Sequence, residues 1–380
     1  MVPLRRRILP LLCVFLGAPV AAEYLQAYLP FTGELWASLF GIVFFAPLYG
    51  GAALIIREVA VRTGMGWPGT LLLAAAFGLA MTGIIDLSMF GEERPDVAYW
   101  AELREPTLIE PLGVSVAATL SWTLGHVVMS VGAPLALLYA LAPAHRGQPL
   151  LGKIGIPFTL ACAAVIALAV HNDGQQTYGY SLSPARAGAV LVVVVLLIGA
   201  AFLARRRSAR ARSLPHSAGP ATNGGTSAHA EASARAGHPL PVAALVAAGV
   251  LAKVLMDLVP PTWLGVAGTV ALVALVGLAL GRVSARRPWG PREVGVLGAG
   301  LVIGAILIGF AAPVPDGVPV AAKIAQSSVL LVLALALLWL VIRRTGPGYR
   351  SSAAGRGAST GRGDTASPAG RNRPAPNSRP

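Results

Sequence analysis

Apolar residues run along the chain in blocks of about twenty, separated by short polar stretches that carry most of the charge. Ten blocks can be drawn: 8–28, 35–56, 67–90, 113–142, 154–171, 187–204, 240–258, 263–281, 294–312 and 324–342. A helix needs about 20 residues to cross a hydrocarbon layer ~30 Å thick. Stretches such as Leu191 to Leu197 are apolar on every face, so the alternation of a lipid-facing β-barrel is missing. An open sheet edge would strand its amides in lipid, which leaves helices. The expected fold class is all-α, a polytopic transmembrane helical bundle of about ten spans.

Composition narrows the function classes. Of the 380 residues, 55% are hydrophobic and only 12% charged, and the mean hydropathy is +0.67. Soluble domains carry about 25% charged residues, so a soluble globular enzyme is excluded. The two cysteines, Cys13 and Cys162, lie inside apolar runs and offer neither a disulfide framework nor a zinc site. The net charge of +14 comes mostly from helix ends and two low-complexity segments, so no specific nucleic acid partner is expected. The implied partner is the lipid bilayer.

The basic residues orient the chain. With the N-terminus inside, 25 of the 30 Lys and Arg fall in inner segments, four (Arg94, Arg104, Arg186 and Lys323) in outer ones, and Lys253 within a span. A wrong span count would scramble this asymmetry, so both termini are expected to be cytoplasmic. Arg5–Arg7, the apolar Ile8–Gly17 and Val20-Ala21-Ala22 also fit a cleavable signal peptide. Apolar character resumes through Tyr24, Leu25 and Tyr28, which favours a retained helix.

Four regions follow: a six-span region 1–204, a flexible cytoplasmic linker 205–239, a four-span region 240–343 and a disordered basic tail 344–380. The six-plus-four division does not match the equal inverted halves common in transporters. Loop 91–112 is the largest outer feature. It holds six Asp and Glu against Arg94 and Arg104, with Tyr99 and Trp100, and reads either as a cation-attracting cap or as an interfacial acidic loop.

Ionisable groups within spans are costly and are therefore candidate sites. Asp86, one turn inside the outer end of the third span, can take a proton or cation, or reach interfacial water. His126 sits mid-way along the fourth span, with Trp122 and Ser130 on the same face at i−4 and i+4. It can relay a proton or hydrogen-bond a hydroxyl, and would bind metal only with ligands from other helices. Lys253 and Asp257 are spaced i, i+4 and can pair, serving either as a relay or anion site or as a self-neutralised structural pair. The polar turn Lys323 to Ser328 opens the tenth span. Pro47 with Gly50-Gly51, and Pro134, are expected to break or kink helices, whereas Gly295, Gly298, Gly300, Gly304 and Gly309 suit close helix packing.

The stretch Ala53-Leu54-Ile55-Ile56-Arg57-Glu58-Val59-Ala60-Val61-Arg62-Thr63-Gly64-Met65-Gly66-Trp67-Pro68 resembles a family of uncharacterised bacterial polytopic membrane proteins. So do Phe77-Gly78-Leu79, Ser88-Met89-Phe90 and Gly125 to Ser130, the likeness covering roughly residues 45–155. It implies a multi-pass protein of the bacterial inner membrane and no particular activity. The Trp122-x-x-x-His126 spacing is similar to one motif of the CPBP (Abi) intramembrane proteases. Met81 and Thr82 stand where that family has its glutamates, and Glu92-Glu93 lies in a loop with no Arg at the needed offset. Phosphate-loop, Gly-x-Ser-x-Gly and His-Glu-x-x-His motifs are absent, so no cofactor or metal is expected.

The leading expectation is a non-enzymatic membrane protein that binds or moves a small solute through an outer-half polar site of Asp86, His126, Lys253 and Asp257. A degenerate CPBP-like hydrolase and a membrane scaffold or assembly subunit are the alternatives. The orientation is directly testable. Protease added outside intact spheroplasts should leave 205–239 uncut, and cleavage there would overturn the threading.

Overall fold

The computed structural model describes residues 3–95, 97, 99–213 and 240–345. It is a helical bundle, and each apolar block of the sequence is helical over most of its length. The first rod is α1 (Leu4–Pro19), continued by a π-helical turn, Val20–Tyr24. The second joins α2 (Leu35–Phe45) to α3 (Gly51–Thr63) through the π turn Ala46–Gly50. The third is α4 (Trp67–Ala80) with the π turn Met81–Ile85. After a loop carrying the short α5 (Trp100–Arg104) comes a fourth rod, α6 (Val116–Gly125) and α7 (Ala133–Leu141), joined by the π segment His126–Gly132. Then follow α8 (Gly155–Tyr178), α9 (Pro184–Ser213), α10 (Val242–Leu258), α11 (Trp263–Arg286), α12 (Pro291–Ala311) and α13 (Val320–Thr345).

Among the described residues, nine of these rods are long and apolar enough to cross a membrane. The other, α10, has 17 residues, framed by Pro241 and by Val259-Pro260. Two blocks end earlier than their hydropathy suggests. The first rod stops at Tyr24 and the third at Ile85, and each is followed by a residue with positive φ, Ala27 (+50°) and Leu87 (+61°). The stretch 205–213, expected as linker, continues α9. The rest of that linker, 214–239, and the tail from 346 lie outside the described residues. Among the described residues, strand is confined to a two-residue antiparallel ribbon, Leu108–Ile109 with Val114–Ser115, in which Leu108 pairs with Ser115.

Helix α12 is the hub, packing on α7, α10 and α13. Small residues permit this. A Cβ on Gly249 of α10 would lie 2.5 Å from the Leu297 carbonyl oxygen of α12, and one on Gly300 2.6 Å from that of Val246. Gly295 and Gly298 meet Ala140 and Ala136 of α7 just as closely, so the glycines seen in the sequence are contact points. The bundle's outer surface is apolar: Leu191, Val192, Val195 and Leu196 of α9, Phe158 and Val165 of α8 and Leu264 of α11 are exposed.

One end of the bundle is closed by charge. Glu58 of α3 is 1% exposed, and its Oε1 accepts the Leu150 and Leu151 amides at 2.6 and 3.1 Å. Arg57, fully buried, and Arg62 flank the same carboxylate at 3.3 and 3.1 Å. Their guanidinium groups also hold the carbonyls of His145, Gln148 and Leu151, and Arg7 donates to that of Leu150 at 2.7 Å. The Arg57-Glu58 pair of the resemblance motif thus fastens loop 142–152. At the other end Lys323, 2% exposed, donates to the carbonyls of Pro313 (2.8 Å) and Ala27 (3.4 Å).

Removing a buried carboxylate leaves its cation and amides unanswered. Glu58→Ala should therefore destabilise the protein by about 3–5 kcal/mol. Glu110→Ala, at an exposed position, should stay within about 0.5 kcal/mol. Thermal unfolding in detergent checks both.

Candidate functional site

Among the described residues there are four π-helical stretches, one on each of the first four rods; those of the first and second rods pack on that of the fourth, and that of the third packs on α6. A π turn adds a residue to a helical turn and re-aims the side chains around it, often at functional sites. Sequence explains most of them. Pro19, Pro47 and Pro134 lack the N–H that would bond the carbonyl four residues earlier, so the regular ladder is interrupted beside each. The third stretch instead carries Gly83, where a Cβ would lie 2.8 Å from Val190 of α9.

Each stretch supplies or aims one polar group. Glu23 lies in the first, Tyr49 in the second and His126 opens the fourth, while Asp86 directly follows the third. The Glu23 carboxylate accepts hydrogen bonds from the Tyr49 and Tyr28 hydroxyls. Tyr49, 3% exposed, stacks on the His126 ring with centroids 5.7 Å apart and planes at 21°. Phe77 of α4 meets the same imidazole edge-on at 5.9 Å. Gly78 permits that approach, since a Cβ there would lie 3.1 Å from the His126 Cβ. His126 Nδ1 and Ser130 Oγ are 3.0 Å apart, which fixes the ring along the helix.

Asp86 Oδ1 accepts from the Ser88 amide (2.9 Å) and hydroxyl (2.6 Å), closing a tight turn around Leu87. Leu87 is fully buried at positive φ, a conformation that costs a non-glycine residue of order 1 kcal/mol. Arg94 Cζ stands 4.3 Å from the Tyr178 ring centroid, 5.2 Å from Trp122 and 5.9 Å from Trp100. Nearby, His171 Nδ1 is 2.6 Å from the Ile84 carbonyl oxygen, so it carries the proton there, and Nε2 accepts from Gln175 at 2.8 Å. Glu23, Asp86, Arg94 and His126 are all only partly buried.

The Lys253–Asp257 pair belongs to a neighbouring cluster. Lys253 Nζ donates to both Asp257 oxygens, and Gln26 Nε2 donates to Asp257 Oδ2 at 2.7 Å. Asp257 also borders a small cavity of about 90 Å³ with Ser121, Met256, Pro260 and Thr269. Of the four residues singled out by sequence, His126 joins Glu23 through the Tyr49 ring, Asp86 closes its own turn with Ser88, and Lys253 and Asp257 pair beside Gln26. The two clusters adjoin through the 23–26 turn of the first rod.

Glu23, the residue both phenols address, is missing from the sequence reading. It lies inside the block drawn at 8–28, so the rule that flags ionisable groups in apolar spans would have found it. The tyrosines and Arg94 carry no such signal. Among the described residues, no three of His, Cys, Asp and Glu are grouped to hold a metal ion. Tyr49→Phe deletes a charge-assisted donor and should cost about 2 kcal/mol in thermal unfolding. Tyr28→Phe, at a hydroxyl on a side chain 46% exposed, should cost less.

No known protein family, curated protein or solved structure matches the chain, so the functional reading rests on this geometry.

Proposed function

We propose that this chain is a multi-pass protein of the bacterial inner membrane, with ten spans and both ends cytoplasmic, that binds and moves a small solute in exchange with protons through the Glu23–Tyr49–Asp86–His126 cluster. The apolar outer face of the bundle and the length of nine of its helices support insertion. Arg7, Arg57, Arg62, Arg292 and Arg344 all bond carbonyls or carboxylates at the end carrying loop 142–152, as expected for the cytoplasmic side. This supports an outer-half position for the cluster.

The observation that carries the reading is the meeting of Glu23, Tyr49 and His126, from three rods, on three interrupted helical turns. Interrupted helices in membrane proteins are tolerated where they line a site, because freed backbone groups need partners. The chemistry follows from the donors. Two phenols donate to the Glu23 carboxylate and stabilise its charge. A proton arriving on Glu23 frees an acceptor site and loosens Tyr49, whose ring is stacked on His126. Asp86 and His126 supply the other groups that can hold a proton, and all three are only partly buried. Charge state and local packing are thereby tied together, which is what exchange of a solute against protons requires.

Proteoliposomes loaded with a pH-sensitive dye test this against gradients of amino acids, amines, carboxylates and sugars. Wild type should show a solute-driven pH change for at least one class. Glu23→Gln, Asp86→Asn and His126→Gln should each lower it tenfold or more. Flux at the wild-type level in all three variants, or no response to any class, would overturn the proposal.

A further inference from the structure

The group at the mouth of the cluster is itself a cation in an aromatic box, and this suggests what the site takes. We infer that the box of Tyr178, Trp122 and Trp100 is a binding site for an organic cation of the guanidinium or alkylammonium class, which Arg94 occupies until such a ligand displaces it. The inference rests on the reading of the outer cluster as a solute site and names its substrate class.

Two walls of the box come from the helical rods, and the third wall and the occupant come from the outer loop. Tyr178 is the last residue of α8, Trp122 belongs to α6 and Trp100 opens α5. Trp100 and Trp122 stack with centroids 5.4 Å apart. The Trp100 indole N–H is anchored to the Gly91 and Glu92 carbonyls at 3.3 and 3.1 Å. Arg94 comes from the loop before α5, outside any helix or strand. It presents its guanidinium to all three rings, at 4.3, 5.2 and 5.9 Å.

Ring faces of this kind attract a cation through their quadrupoles, the more so when it is shielded from water. Carboxylates complete the site. A Cβ on Gly174 of α8 would touch both the Tyr178 ring (3.3 Å) and the Asp86 carbonyl (3.6 Å), so the absence of a side chain there brings the ring against the Asp86 turn. The Asp86 turn lies beside the Tyr178 ring, and Glu92, Glu93, Glu102, Glu105 and Glu110 are exposed on the same outer loop. Such a field concentrates cations at the entrance. Neutral or anionic solutes would meet ring faces and carboxylates with nothing to offer them.

An internal occupant taxes an external one. The apparent affinity of a free cation falls by the fraction of time Arg94 leaves the box empty. Removing the Arg94 side chain should therefore strengthen binding, the opposite of what loss of a direct ligand contact would do.

The test uses the full chain in nanodiscs, titrated calorimetrically with methylguanidinium and tetramethylammonium, with methylurea as the uncharged control. Arg94→Gln should bind both cations at least tenfold more tightly than wild type and should not bind methylurea. Adding Trp122→Leu should abolish the gain. Should Arg94→Gln fail to fold, Arg94→Lys, which keeps the charge but loses the planar group, should show a smaller gain of the same sign. A purely structural clasp predicts lower thermal stability with no gain in cation binding, and that result overturns the inference. No gain together with intact proton flux through Glu23 and His126 overturns the cation assignment alone. Loss of both removes the solute-site reading beneath it.

Discussion

A carboxylate or guanidinium withdrawn from water costs several kcal/mol unless other withdrawn groups answer it, and the two ends of this bundle answer that demand in opposite ways. At the Glu58 end the carboxylate is fully answered. Two guanidinium groups and two amides surround it, and their terminal nitrogens also take up loop carbonyls, while Arg57 Nε is left without a hydrogen-bond partner. The result is a fastened loop. At the Glu23 end the carboxylate is met by phenols, which can let go of it, and the neighbouring imidazole and carboxylate are partly exposed. The same constraint yields a structural lock in one place and a responsive site in the other.

The responsive end depends on departures from regular helix. A straight α-helix through residue 49 or 126 would present different faces to the bundle centre, and the close approach of α4 to α6 at Gly78 would have no ring to receive. The positive φ of Ala27 and Leu87 extends the pattern beyond the helix ends, since each lies within a few residues of a site carboxylate. Strain of this kind persists only where surrounding packing over-determines it. Here the packing is the α12 hub behind Ala27, where Gly309 lies against the 25–26 backbone, and the α8–α9 pair behind Leu87.

Much of this architecture was legible in the sequence because hydropathy and helix length are local properties. The ten blocks, the proline interruptions and the glycine contacts of α12 all follow from neighbours along the chain. Asp86 and His126 were legible as candidates because a lone ionisable group in an apolar run stands out. Lys253 and Asp257 stood out for the same reason, but their packing around Gln26 depends on which face of α10 meets the first rod, and periodicity in an Ala/Gly-rich helix does not say. Tyr49 and Arg94 were invisible because their importance comes from rings on other rods. The Arg57-Glu58 pair read as a loop charge because it sits at a block's edge, whereas the chain folds loop 142–152 back over it.

The central claim is that Glu23 and Tyr49, from different rods, act as one unit. A double-mutant cycle of Glu23→Gln and Tyr49→Phe, read by unfolding free energy of the full chain in detergent, tests it most directly. The account predicts a coupling energy of about 1 kcal/mol or more, because each residue's contribution depends on the other. Additivity within about 0.3–0.5 kcal/mol would mean that the two do not meet, and the site built on them would not exist.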